Sequence, residues 1–180
     1  KYPAVLPEYY EKKSPVNPYV FMKKLFEGLE ENDIVVTGNG SACVVSFQAA
    51  EIKKGQRLFT NSGCASMGYG LPAALGACIA EGEKRVICLD GDGSLMMNLQ
   101  ELQTIRYNNC NMKLFVLNNN GYHSIRQTQN NLFKNGLVGV CDGNGVNFPP
   151  FDKLADTFGF RYFKIDSLDG IEEKLQEVLN

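Results

Sequence analysis

The chain has 180 residues, 44% hydrophobic and 21% charged, and its 18 Lys+Arg against 20 Asp+Glu leave a formal charge of −2. That balance fits one globular domain and excludes a disordered chain or a basic nucleic-acid-binding module. The longest nearly continuous apolar stretch, Met67 to Ala80, is broken by glycines and a proline and falls short of the roughly 20 residues that cross a bilayer, so no membrane span is expected.

Residues 1–17, rich in proline and mixed charge, are expected to be an interdomain linker, and residues 18–180 the folded domain. The start lacks both an initiator Met and the apolar core of a secretory signal, and reads as a piece cut from a longer chain. Six cysteines without a C-x-x-C pair point to a reducing, cytoplasmic setting with no disulfide framework and no zinc site. Asn17-Pro18 is a helix start, Asn as N-cap and Pro in the first turn, and Val20, Phe21, Leu25, Phe26 and Leu29 recur at helical spacing. Ile34 to Thr37 reads as a strand buried on both faces. Strands are then expected at 57–60, 85–89 and 112–117, with helices at 68–80 and 95–105 between them. This alternation predicts an α/β fold with helices on both faces of a mainly parallel sheet. Gly136 to Pro150, with four glycines and two prolines, is expected to be a long surface loop of the kind that carries function. Helices at 151–158 and 168–179 close the chain, with a last edge strand at 161–165 between them.

The chemistry is concentrated at two strand ends. Asp90-Gly91-Asp92-Gly93-Ser94 follows the strand at 85–89 and opens a helix, which is where an open parallel sheet binds ligands. Glycines let backbone amides approach a phosphate, whereas an Asp there repels it, and a bridging cation resolves the conflict. Mg²⁺ takes hard oxygen ligands and joins carboxylates to phosphates, so Asp92 beside a diphosphate predicts a metal. The strand at 112–117 ends in Asn118-Asn119-Asn120-Gly121, which offers further oxygens. Taken singly, Asp-Gly and Asn-Gly are ordinary turn residues; together, one βαβ unit apart, they favour a metal-diphosphate site. Two decoys fail. An EF-hand reading over Asp90 to Glu101 has Leu95 where the loop needs glycine, and the G-x-G-x-x-A run from Gly68 to Ala73 lacks its acidic partner at a second strand end.

Gly91-Asp92-Gly93-Ser94, followed after one helix and one strand by Asn118-Asn119, resembles the signature of the thiamine-diphosphate enzymes. The longer run Asp90 to Thr104, with Thr60 to Gly63 and Met67 to Gly76 upstream, is similar to the acetolactate synthase branch, and the likeness covers most of residues 18–130. It implies the thiamine-diphosphate-binding fold, a three-layer α/β/α arrangement, as the C-terminal domain of a longer enzyme. By the same resemblance Asp92, the Asn119 side chain and the main-chain oxygen of Gly121 bind Mg²⁺, while Asn39, Gly40, Ser41, Gly91, Gly93 and Ser94 surround the diphosphate. The Ala65 carbonyl accepts from the 4′-amino group of thiamine, Met67 props thiamine in its bent form, and Ile125 stands near the reactive thiazolium carbon. On residue type alone Met67 is core filler; the resemblance reverses that. The implied substrate is a 2-oxo acid, decarboxylated or joined to a second one. The implied partner is the N-terminal pyrimidine-binding domain of a second subunit, so a homo-oligomer is expected and the isolated chain is expected to be inactive. FAD enters only through a middle domain outside this chain.

The likeness has departures. Asn39 to Val45 replaces the branch's Gln-His-Gln-Met-Trp run, and Thr128 stands where the branch has Trp. Ile125-Arg126-Gln127 also resembles glyoxylate carboligases. A simple decarboxylase, a glyoxylate-carboligase-like enzyme, a C–C hydrolase and a non-catalytic cofactor-binding module therefore remain as alternatives. His123, the sole histidine, is expected to be a packed or solvated residue. Helical spacing places Ser124, Ile125 and Thr128 on one face and turns Arg126 toward the surface or a partner domain.

Overall fold

A computed structural model describes residues 2–82, 84–133 and 136–180. Four parallel strands form one sheet in the order β2-β1-β3-β4: β1 is Ile34–Thr37, β2 Arg57–Phe59, β3 Val86–Gly91 and β4 Met112–Leu117. Side chains alternate across the sheet, so each strand feeds two cores. Val35, Ile87, Leu89 and Phe115 face one cluster, with α1 (Pro18–Gly28), α2 (Gly40–Ala49) and α8 (Ile171–Leu179). Ile34, Val36, Val86 and Cys88 face the other, with α3 (Gly70–Glu81), α5 (Glu101–Tyr107) and α7 (Phe151–Thr157). This is the expected three-layer α/β/α sandwich. Among the described residues no helix is long and apolar enough to cross a membrane.

The start of α1 follows the sequence: the Asn17 side chain accepts from the Tyr19 amide at 2.9 Å, and Pro18 opens the first turn. Residues ahead of it form a 3₁₀ turn at Pro7–Tyr10, and Val5, Tyr9, Tyr10 and Val16 pack against the α1 core. Two expectations are corrected. The helix expected at 95–105 begins earlier, as α4 (Asp92–Leu95), and breaks into a 3₁₀ turn at Met96–Asn98 before α5 resumes. The break frees Asn98 Nδ2 to donate to the Gly68 carbonyl at 2.7 Å. The edge strand expected at 161–165 does not form. Phe160 packs in one layer and Ile165 in the other, so the segment crosses the sheet margin instead of running along it.

At the amino end of the sheet Asp33 and Arg85, which precede β1 and β3, make a paired bond: Arg85 Nε donates to Asp33 Oδ1 at 3.0 Å and Nη2 to Oδ2 at 2.5 Å. Arg85 Nη1 also donates to the Leu179 carbonyl at the end of α8, at 3.1 Å. Both side chains are largely buried, and the pairing raises the Arg85 pKa. Removing one partner leaves the other charge unpaired. Asp33→Ala should therefore lower the unfolding free energy by about 3 kcal/mol, measured as a shifted denaturation midpoint. Cofactor affinity should stay near wild type, because the pair lies at the sheet end opposite the cleft.

Candidate active site

The connection leaving β1 leads to β2 on one side, and the connection leaving β3 leads to β4 on the other. The carboxyl ends of β1 and β3 thus flank a topological switch point, where open α/β sheets leave a ligand crevice. A cleft of about 150 Å³ lies there. Asn39, Gly40 and Ser41, at the start of α2, form one wall; Gly91, Asp92, Gly93 and Ser94 form the floor; Asn119 and Gly121, after β4, form the other side. Met67 and Ile125 complete the rim. The cleft thus unites every expected site residue except Ala65, which is linked to it: its carbonyl accepts from Asn39 Nδ2 at 3.1 Å. A carbonyl has two lone pairs, so one remains.

Asp92 organises the floor. It is 1% exposed. Its Oδ1 accepts from the Gly93 amide at 2.7 Å, and its Oδ2 accepts from the Asn119 and Gly121 amides at 3.0 and 3.1 Å. A carboxylate offers about four lone-pair directions, and three are used. Beside it, the Asn119 Oδ1 is buried and has no hydrogen-bond partner. Thr37 Oγ1 and Asp90 Oδ2 also lack partners, but neither residue lines the cleft. No lysine or arginine lines the cleft among the described residues, and Asp92 is the one carboxylate there. Nor could any cluster of three His, Cys, Asp or Glu side chains among them hold a metal alone. A carboxylate, an orphaned amide oxygen and nearby main-chain oxygens suit a hard cation that keeps its remaining sites for phosphate.

Met67 is 36% exposed and turned into the cleft, so the core-filler reading is set aside. Its neighbour Gly68 holds it there. The Gly68 amide donates to Ser94 Oγ at 2.9 Å, and its carbonyl accepts from Asn98. At φ +80°, with a Cβ there falling 2.6 Å from Met97 Cβ, Gly68 admits no other residue without movement. Ser94 in turn lies against Asp90, whose pKa burial raises to about 6; the Ser94 hydroxyl and the amides of Gly91 and Leu71 oppose the shift.

Helix α6 (His123–Leu132) brings Ser124 and Ile125 to the cleft together with His123, but not Thr128, which is exposed and donates to the Ser124 carbonyl at 3.0 Å. Arg126 also departs from expectation. Its Nη2 turns back to the Asn119 carbonyl at 3.3 Å and lies 3.5 Å from His123 Nδ1. Tyr122 also lines the cleft. Its ring packs over Gly93, where an added Cβ would lie 2.3 Å away.

Comparison with known proteins agrees with this geometry. Residues 38–180 match the family described as thiamine pyrophosphate enzyme, C-terminal TPP binding domain. The chain is 30% identical over 166 residues to the acetolactate synthase isozyme 1 large subunit of Escherichia coli K12, covering 92% of this chain and 29% of that protein. It is 31% identical over 169 residues to the chloroplastic acetolactate synthase 1 of Nicotiana tabacum, covering 92% and 25%. It is 34% identical over 133 residues to the acetolactate synthase large subunit of Cyanidium caldarium, covering 74% and 22%. The chain therefore spans less than a third of the length of these curated relatives. It belongs to the thiamine pyrophosphate enzymes, as their C-terminal cofactor-binding domain.

Proposed function

We propose that this domain binds thiamine diphosphate through Mg²⁺ within an acetolactate-synthase-like enzyme that decarboxylates a 2-oxo acid and joins the remaining unit to a second one. The observation that carries the reading is the unpartnered Asn119 Oδ1 beside the Asp92 carboxylate, in a cleft that no lysine or arginine lines among the described residues. A diphosphate there faces Asp92 and no lysine or arginine, so a divalent cation held by Asp92, Asn119 and the Gly121 carbonyl supplies the missing attraction. Asn39, Gly40, Ser41, Gly91, Gly93 and Ser94 enclose the diphosphate. Met67 supports the bend of the cofactor, the Ala65 carbonyl accepts from its amino group, and Ile125 borders the reacting carbon. When bound, thiamine diphosphate supplies a nucleophilic ring carbon for the 2-oxo group and an electron sink for loss of CO₂. Relatives named acetolactate synthases support the carboligase outcome over a simple decarboxylase or a C–C hydrolase.

In this reading residues 1–17 join the domain to the rest of a longer chain, a partner subunit's N-terminal domain completes the site, and the enzyme is a cytoplasmic homo-oligomer. Any FAD belongs to a middle domain. Product analysis of the full-length enzyme fed pyruvate tests the activity: acetolactate is expected, and acetaldehyde alone would replace the carboligase reading with a decarboxylase.

A further inference from the structure

The Gly136 to Pro150 loop, read from the sequence as function-bearing, contributes no residue to the cleft lining and packs against the segment after β4. Its centre is a knot built on one side chain. Asn144 Oδ1 accepts from the Val140 and Cys141 amides, both at 2.8 Å, and Asn144 Nδ2 donates to Cys141 Sγ at 2.9 Å. The backbone closes the same turn: the Gly139 amide donates to the Asn144 carbonyl at 2.6 Å, and the Asn144 and Val146 amides donate to the Cys141 carbonyl at 3.2 and 3.3 Å. Val140 is fully buried.

From this knot the Val140 carbonyl accepts from the Tyr122 amide at 2.8 Å, and Gly121 bridges antiparallel to Cys141. The approach is tight. Gly121 has φ +147°, and a Cβ there would lie 2.0 Å from the Val140 oxygen. On its other side the Gly121 amide donates to Asp92. Gly121 is thus held between Asp92 and the Val140–Cys141 strip, and the strip's conformation is set by Asn144.

We infer that Asn144, which touches neither Asp92 nor the cleft, is a positioning residue for the Mg²⁺ site, acting through Val140 to fix the Gly121 peptide. This rests on the metal reading proposed above. Aspartate at 144 keeps the oxygen that accepts the two amides and loses only the donor to Cys141; alanine loses both. The test uses the full-length enzyme and measures thiamine diphosphate binding by equilibrium dialysis across a Mg²⁺ titration. Hydrogen exchange of the 118–123 segment is followed in metal-free protein.

Asn144→Ala should raise the Mg²⁺ concentration for half-maximal binding by about 10 to 100-fold, the range for losing a group that orients a ligand. Binding should recover at high Mg²⁺, exchange at 118–123 should quicken, and Asn144→Asp should stay within about threefold of wild type in both. A merely structural residue would lower the melting midpoint and leave the Mg²⁺ requirement of the folded fraction unchanged. That result, or an Asp variant as impaired as Ala, overturns the inference while a Mg²⁺-dependent wild type keeps the site reading. Wild-type binding indifferent to Mg²⁺ overturns both.

Discussion

Asp92→Ala is expected to weaken thiamine diphosphate binding by more than about 100-fold and to remove its dependence on Mg²⁺, since even the groups that orient a ligand cost 10 to 100-fold when lost. The carboxylate has two jobs. It accepts from the Gly93, Asn119 and Gly121 amides, tying the end of β3 to the loop after β4, and it carries the one negative side-chain charge in the cleft. Alanine removes both, so loss of binding alone could follow from three freed amides. Asp92→Asn separates the jobs. With its amide oxygen at the Oδ2 position Asn still accepts from Asn119 and Gly121 and gives up only the bond from the Gly93 amide, so the variant should melt above Asp92→Ala though below wild type; a neutral ligand holds Mg²⁺ poorly, and cofactor binding should still fall by an order of magnitude or more. An Asn variant with wild-type affinity would reduce Asp92 to a loop fastener.

Met67→Ala is expected to lower turnover of the full-length enzyme by about 100-fold while changing cofactor affinity by less than about tenfold. The diphosphate end carries most of the anchoring, whereas a prop beneath the bend controls how closely the reacting atoms approach, and misplacement by about 1 Å costs that much rate. The structure gives Met67 the means: Gly68 is tied to Ser94 and Asn98, so the residue beside it is presented at a fixed height over the floor. Steady-state kinetics with a calorimetric affinity for each protein separates the two effects. Equal losses in both would mean that Met67 merely contributes binding area.

The strands and the strand-end motifs were legible in the sequence because short β-branched runs and Asp-Gly or Asn-Gly stops leave little ambiguity. Ile34–Thr37 and Met112–Leu117 stand at the expected bounds, and the residues picked at 39–41, 91–94, 119 and 121 meet in one cleft. Helix α2 was not anticipated. Its buried face is Ala42, Val45, Ser46 and Ala49, which has helical spacing, but small residues and a Ser make that face faint, and Val44 and Phe47 on the outer face blur it further. The interruption at Met96–Asn98 depends on a bond to Gly68, thirty positions earlier, which no local pattern announces. Arg126 was assigned outward by helical geometry alone. Its long side chain folds back to Asn119, a reach that a wheel of α-carbons does not record. The loop at 136–150 was expected only as a long surface loop of the kind that carries function; its bridge to Gly121 was not legible, because the pairing of Gly121 with Cys141 is a tertiary contact.

Calorimetric titration of thiamine diphosphate into the metal-stripped full-length protein, with Mg²⁺ and with a chelator, tests the central claim most directly. The account predicts saturable binding with Mg²⁺ and affinity at least about 100-fold weaker without it, because Asp92 then faces the diphosphate with no bridging charge. Equal affinity under both conditions would contradict the account.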